Sequence, residues 1–266
     1  MHKSDFAHSS KKNTAPLDFE GNRTGTAGRR TVKTIWLSSW IVLATLLVFP
    51  PIALVSLFSR TGNSLFHLAR LWARIICGVT GVRVRTRGLD RIDKRRSYVI
   101  IANHQSHFDG PALAIGLSGM PFRWIAKREL LKIPLFGYCL YSSRSIFIDR
   151  SNRERAIASI RKGVERLPPG VSVMCFAEGT RSPNGRIGHF KKGGFAAALD
   201  NGMPILPVTI NGSRHVLPKG SAVFQPGTIE LVVGQPIETH PYLPDRLDDL
   251  VADTRSMIAA QFMKPS

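Results

Sequence analysis

Hydrophobic and polar positions divide this chain into distinct regimes. From Ile35 to Phe58 no side chain is charged, and the run exceeds the roughly 20 residues that cross a bilayer as a helix. Pro50-Pro51 interrupts it, so it reads either as a kinked spanning helix or as a shorter helix that enters one leaflet and turns back. Next, Leu65, Leu68, Ala69, Trp72 and Ile76 form an apolar stripe, while His67, Arg70 and Arg74 recur on another face. A basic amphipathic helix beside a long apolar one favours a hairpin lying in a membrane surface.

After Gly81 short apolar runs alternate with helical stretches. Strands are predicted near Val82–Arg87, Tyr98–Ala102, Arg123–Ala126, Ile146–Asp149, Val171–Ala177, Ile205–Ile210 and Thr228–Val233. Helices are predicted near Pro111–Ser118, Glu129–Tyr138, Asn152–Leu167, Phe190–Asn201 and Arg246–Met263. This alternation implies an α/β fold: a largely parallel mixed sheet of about seven strands flanked by helices, preceded by a membrane-associated helical hairpin. Met1 to Arg30 is polar and without apolar period, a disordered basic tail. It is not a signal peptide, because the apolar run starts late and no small-residue cleavage site follows. The division is thus 1–30 tail, 31–80 membrane-associated segment and 81–266 globular domain.

Charge adds a partner class. The 37 Lys and Arg against 18 Asp and Glu give +19 and a pI near 10.8, a field suited to anionic lipids, acidic proteins or nucleic acid. Aromatic and basic residues do not interleave, so nucleic acid is not expected. Cys77, Cys139 and Cys175 are odd in number and widely spaced, which suggests core filling in a reducing compartment.

Candidate chemistry lies where strands end. Asn103-His-Gln-Ser-His-Phe-Asp109 follows an apolar strand, and His104 and Asp109, five positions apart, can meet only through a turn. Asp109 accepting the Nδ1 proton would leave Nε2 as a base, with no Ser or Cys nucleophile required. By itself the spacing also suits an aspartate that caps a helix beside a satisfied histidine. Glu178-Gly-Thr-Arg181 follows the strongest strand; its backbone N–H groups, hydroxyl and guanidinium can together hold a phosphate. Lys127 ends another strand, Asp149 and Arg150 end a fourth, and Met203–Val208 is an apolar strand bounded by prolines. A second carboxylate and histidine cluster at ligand spacing is missing, which argues against a metal-dependent hydrolase.

In this order and spacing the stretches resemble the glycerophospholipid acyltransferase family, most closely its bacterial lysophosphatidic acid branch, from about Arg74 to Gly212. The resemblance implies a general base at His104 oriented by Asp109. It links the FIDR motif, with Asp149 and Arg150, to acceptor binding, and Lys127, Glu178, Gly179, Thr180 and Arg181 to the acceptor phosphate. Pro207 is linked to the acyl-donor side. It further implies a lysophospholipid acceptor, acyl-CoA or acyl carrier protein as donor, and neither cofactor nor metal. The location implied is the bacterial cytoplasmic membrane, with the catalytic domain facing the cytoplasm. One position departs: the family usually has glycine three residues before the Phe of FIDR, and this chain has Arg144, which bears on the shape or charge preference of the acceptor pocket and leaves a related acyltransferase with another acceptor, a lyso-aminolipid or glycerol 3-phosphate, as the alternative.

Overall fold

The computed structural model describes residues 27–59, 61–149, 151–242 and 244–263. Most of the expected tail, and Arg150, lie outside the described residues; positions 27–30 already belong to a helix. That helix, α1 (Ala27–Phe58), runs through Pro50 and Pro51 as one element rather than stopping there. Two imino nitrogens leave carbonyls one turn back without donors, yet Val48 and Ile52 on either side are buried, and this packing carries the helix across.

Helix α2 (Asn63–Val79) returns alongside α1 after a turn at Gly62. The turn needs glycine: φ is +79°, and a Cβ would meet the Ser143 carbonyl oxygen at 3.2 Å. Trp72 Nε1 donates to Thr45 Oγ1 at 3.1 Å, tying the two helices. The expected polar face of α2 is partly wrong. Arg70 is buried and donates to Ser118 Oγ at 2.9 Å, while Leu71 is exposed. The helix is covered on two sides, by α1 and by the globular domain, so a simple apolar-in pattern does not describe it.

Seven strands follow: β1 (Val82–Arg87), β2 (Val99–Ala102), β3 (Phe122–Lys127), β4 (Ile146–Ile148), β5 (Ser172–Phe176), β6 (Ile205–Asn211) and β7 (Gly227–Val233). They form one sheet in the order β1-β7-β6-β2-β5-β3-β4. Neighbours are parallel except β6 and β7, which are antiparallel, so the mixed, largely parallel reading holds. All four residues of central β2 are buried. Their alternation feeds two cores: Ile100 and Ala102 join the core with α2 and with α3 (Asp109–Gly116), Val99 and Ile101 the opposite one. The opposite face is covered by α5 (Arg153–Glu165), α6 (Gly193–Asp200) and α8 (Leu247–Ala260); α4 (Phe136–Ser142) and the short α7 (Ser213–Val216) complete the set of α-helices among the described residues.

The expected helix Glu129–Tyr138 is broken into a 3-10 turn, Arg128–Lys132, and α4. Pro134 disfavours a helical residue before it and lacks a donor, and Leu135 adopts φ 60°.

Arg123, on β3, fixes the hairpin to the sheet. It is 1% exposed, and its Nη2 donates to Thr61 O at 2.7 Å and to Asn63 Oδ1 at 2.5 Å, on both sides of the Gly62 turn. Burial, with the nearby charge of Arg144, pushes this guanidinium down to about 10. Arg144 itself has φ 59°, the left-handed region in which a Cβ costs roughly 1–2 kcal/mol. The glycine usual at this position in the family thus has a backbone reason. Arg144→Gly is expected to gain about 1 kcal/mol and raise the melting temperature by about 2–4 °C. Arg144→Ala, which removes the charge and keeps the Cβ, should show much less; equal gains would assign the effect to charge.

Candidate active site

Parallel pairing of β2 with β5 places Ala102 beside Phe176, so the two motif loops leave adjacent strands at one level. Asn103, fully buried, continues the sheet with its side chain: Nδ2 donates to Ile210 O at 2.9 Å and Oδ1 accepts from Ile210 N at 2.7 Å. The main chain is then free to turn. His104 N–H donates to Glu178 Oε1 at 2.8 Å, and its carbonyl accepts from Ser182 N at 2.8 Å. Both bonds use the backbone of His104 and leave the imidazole to other partners.

The turn brings Asp109, first residue of α3, back to His104. Asp109 Oδ2 accepts from His104 Nδ1 at 2.8 Å, Gln105 N at 2.6 Å and Ser106 N at 2.8 Å. The carboxylate is fully buried at a helix N-terminus, where backbone donors and the helix field favour negative charge. Phe176 stacks on the imidazole with centroids 3.9 Å apart and planes 11° apart, and Trp124 stacks on Phe176. Held at its edge by Asp109 and on its face by Phe176, the ring keeps Nε2 as its free nitrogen. Such a ring can take a proton from a bound hydroxyl and stabilise the resulting cation.

Glu178 sits differently from the sequence reading. Its side chain is buried, with Oε1 on His104 N and Oε2 accepting from Gly188 N at 2.9 Å. It braces the His104 loop against its own. Burial pushes its carboxyl above the usual carboxylate value, against the pull of those two backbone N–H bonds. The folded chain therefore binds this proton more tightly than the unfolded one. The cost of burying the charge is complete above the folded pKa and is relieved as pH falls towards the unfolded value. Wild type should accordingly gain melting temperature relative to Glu178→Gln between about pH 7 and pH 4. A difference that is constant or shrinks over that range would contradict the assignment.

The rest of this loop faces cations and solvent. Gly179 has φ +69°, and a Cβ there would lie 3.0 Å from Lys191 Cε; its N–H donates to Phe176 O at 2.9 Å. Thr180 is exposed, with Lys219 Nζ at 3.5 Å. Arg181 is half-buried; burial first, then Arg181 and His104, hold His107 below the usual imidazole value. Arg181, His107 and His104 thus share one neighbourhood, with Lys191 and Lys219 at the adjoining loop, a setting that attracts an anion.

Other sequence candidates lie further off. Lys127 ends β3 and Asp149 follows β4, two and three strands from β2, or roughly 10 and 14 Å at the usual strand spacing. Lys127 pairs with Glu129 at 3.3 Å, both side chains about half exposed, a contact weak enough to exchange for a ligand. Asp149 turns onto its own loop, accepting from Ser151 N at 2.9 Å and Ser151 Oγ at 2.6 Å, and these bonds hold it below the usual carboxylate range. Pro207 is buried inside β6 beside Ile101, its carbonyl bonded to Gly234 N. Asn103 and Phe176 fall inside the two stretches singled out from the sequence, which gives them no role of their own; Lys219 lies outside both, and nothing local marks it.

The site thus sets a buried aspartate against a histidine at the end of a parallel strand, with a cationic loop on the next strand. Residues 83–211 match the family model described as Acyltransferase. The chain is 40% identical over 159 residues to a 1-acyl-sn-glycerol-3-phosphate acyltransferase of Pseudomonas aeruginosa, covering 59% of this chain and 60% of that one. It is 30% identical over 238 residues to mouse 1-acyl-sn-glycerol-3-phosphate acyltransferase alpha, covering 88% and 81%. The crystal structure of the 1-acyl-sn-glycerophosphate (LPA) acyltransferase PlsC from Thermotoga maritima superposes with a TM-score of 0.73 at 25% identity, covering 86% of this chain and 94% of that one. The chain belongs to the acyltransferase family. Its match spans about 60% of the length of the bacterial and chloroplast relatives it resembles.

Proposed function

We propose that this protein transfers a fatty acyl group from an acyl thioester, acyl-CoA or acyl carrier protein, to the free sn-2 hydroxyl of 1-acylglycerol 3-phosphate, giving phosphatidic acid. The observation that carries this is the 2.8 Å His104–Asp109 bond with the imidazole stacked on Phe176. Nε2 takes the hydroxyl proton as that oxygen attacks the thioester carbonyl; Asp109 stabilises the imidazolium, which returns the proton to the departing thiolate. Arg181 binds the acceptor phosphate, with Lys127 and Arg150 as further cations, and so holds the hydroxyl at the base. No step needs a metal or a cofactor.

The acceptor carries one acyl chain and stays in a leaflet, which gives α1 its role at the bacterial cytoplasmic membrane, with the catalytic domain on the cytoplasmic side. Thr31–Phe58 is long and apolar enough to cross a bilayer. However, α1 is tied to the domain near both ends, where Thr34 donates to Ala222 O and Ser56 meets Tyr138, and between them Val48 and Ile52 pack against α2. That attached stretch is about 33 Å at 1.5 Å per residue, which supports a helix lying in the surface layer with its other face in lipid. Thiol release from an acyl thioester by detergent-solubilised protein, with and without lysophosphatidic acid, tests the assignment. Acceptor-dependent release supports transfer; equal release without acceptor would make the protein a thioesterase and sink it.

A further inference from the structure

Between β3 and β4 the chain carries an apolar surface that the fold does not bury. The break at Pro134 and Leu135 folds the 3-10 turn back onto α4 so tightly that a Cβ on Gly137 would lie 2.5 Å from Leu131 O. Leu140 is buried as the root of this strap. Leu131, Ile133, Phe136, Tyr138 and Tyr141 are left exposed, Tyr141 to 68%. Scattered apolar side chains need no explanation, but five within eleven residues form a patch.

Two further observations say what covers it. The patch continues the exposed face of α1: Phe49 meets Tyr138 edge-on at 5.6 Å, Ser56 Oγ and Tyr138 Oη are 2.7 Å apart, and Leu54, Leu57 and Phe58 of α1 are exposed nearby in the chain. Its border is cationic. Lys127, Arg128, Lys132 and Arg144 are exposed, with Glu129 the one carboxylate between positions 127 and 144. Apolar side chains, tyrosines and a rim of cations are what an anionic lipid interface accepts.

We propose that residues 128–142 are a second membrane contact, seated in the interfacial layer of an anionic bilayer beside α1. Two contacts fix the rotation of the domain about α1, as one helix alone cannot. Lys127, where the strap leaves β3, is then held at headgroup level, where an acceptor phosphate lies. The inference rests on the lysophospholipid reading above.

The test compares full-length wild type with Leu131→Ser/Ile133→Ser/Phe136→Ser, using two acceptors: long-chain lysophosphatidic acid in phosphatidylglycerol-containing vesicles, and a short-chain, water-soluble analogue. Vesicle-bound transfer should fall roughly tenfold in the variant while transfer to the soluble analogue is kept. Equal loss on both acceptors, or no loss on either, overturns the proposal. So does a detergent-solubilised wild type that is dimeric where the variant is monomeric, since the patch would then be a protein interface. Hydrogen exchange of unmodified protein supplies a readout independent of activity. Amides of residues 130–142 should be slower in anionic than in zwitterionic nanodiscs, and identical exchange counts against the contact. A wild type that transfers to neither acceptor would defeat the lysophospholipid reading, while leaving the exchange result to decide the membrane contact.

Discussion

Replacing His104 by alanine is expected to reduce acyl transfer to lysophosphatidic acid by about 1,000-fold, with thiol release falling in parallel. The loop itself should survive the change. Glu178 and Ser182 bond the backbone of residue 104, and Gln105 and Ser106 keep their bonds to Asp109 without the imidazole. The loss therefore falls on kcat, and KM for the acceptor, set by Arg181 and its neighbours, stays within a few-fold. A melting temperature near wild type would establish that the fold is intact. An alanine variant that keeps a tenth or more of wild-type turnover would remove His104 as the base, and with it the proposed mechanism.

Much of this site is legible in the sequence because it depends on local pattern. An apolar run of strand length, a turn containing His104 and Asp109, and Gly110-Pro111 opening a helix together specify a pair that cannot meet on a regular helix but can meet across a turn. The second loop is legible for the same reason: Glu-Gly-Thr-Arg comes just after β5, and Gly179 adopts the positive φ that such a turn requires. What the sequence conceals depends on partners distant along the chain. Glu178 is grouped by motif with the phosphate ligands, yet its two acceptor bonds go to backbone N–H groups 74 and 10 residues away. Strand order is hidden in the same way, since β1 and β7 pair across more than 140 residues, and no local period specifies such a contact. Arg144 runs the other way: a departure from the family pattern visible in sequence acquires its meaning from one backbone angle.

Asp109→Asn separates charge from geometry, and here the two have different expected costs. An amide in place of this carboxylate can in principle turn its NH2 towards His104, reverse the imidazole tautomer and abolish the base at Nε2. This chain opposes that rotation. The backbone N–H groups of Gln105 and Ser106 point at Oδ2 from 2.6 and 2.8 Å, so the amide oxygen must occupy that position and the NH2 group must take the place of Oδ1. Oδ1 is buried without a hydrogen-bond partner, which leaves the new donor unsatisfied at a cost of about 1–3 kcal/mol of stability. Turning the amide over would instead oppose three N–H groups with two more, a worse arrangement. Nδ1 therefore keeps its proton and its orientation, and only the negative charge facing the imidazolium is lost. Transfer should fall by about 100-fold, less than for His104→Ala, with a lowered melting temperature and an unchanged KM for the acceptor. A loss equal to that of the alanine variant would mean that the tautomer has reversed and that the two backbone donors do not control the orientation of residue 109.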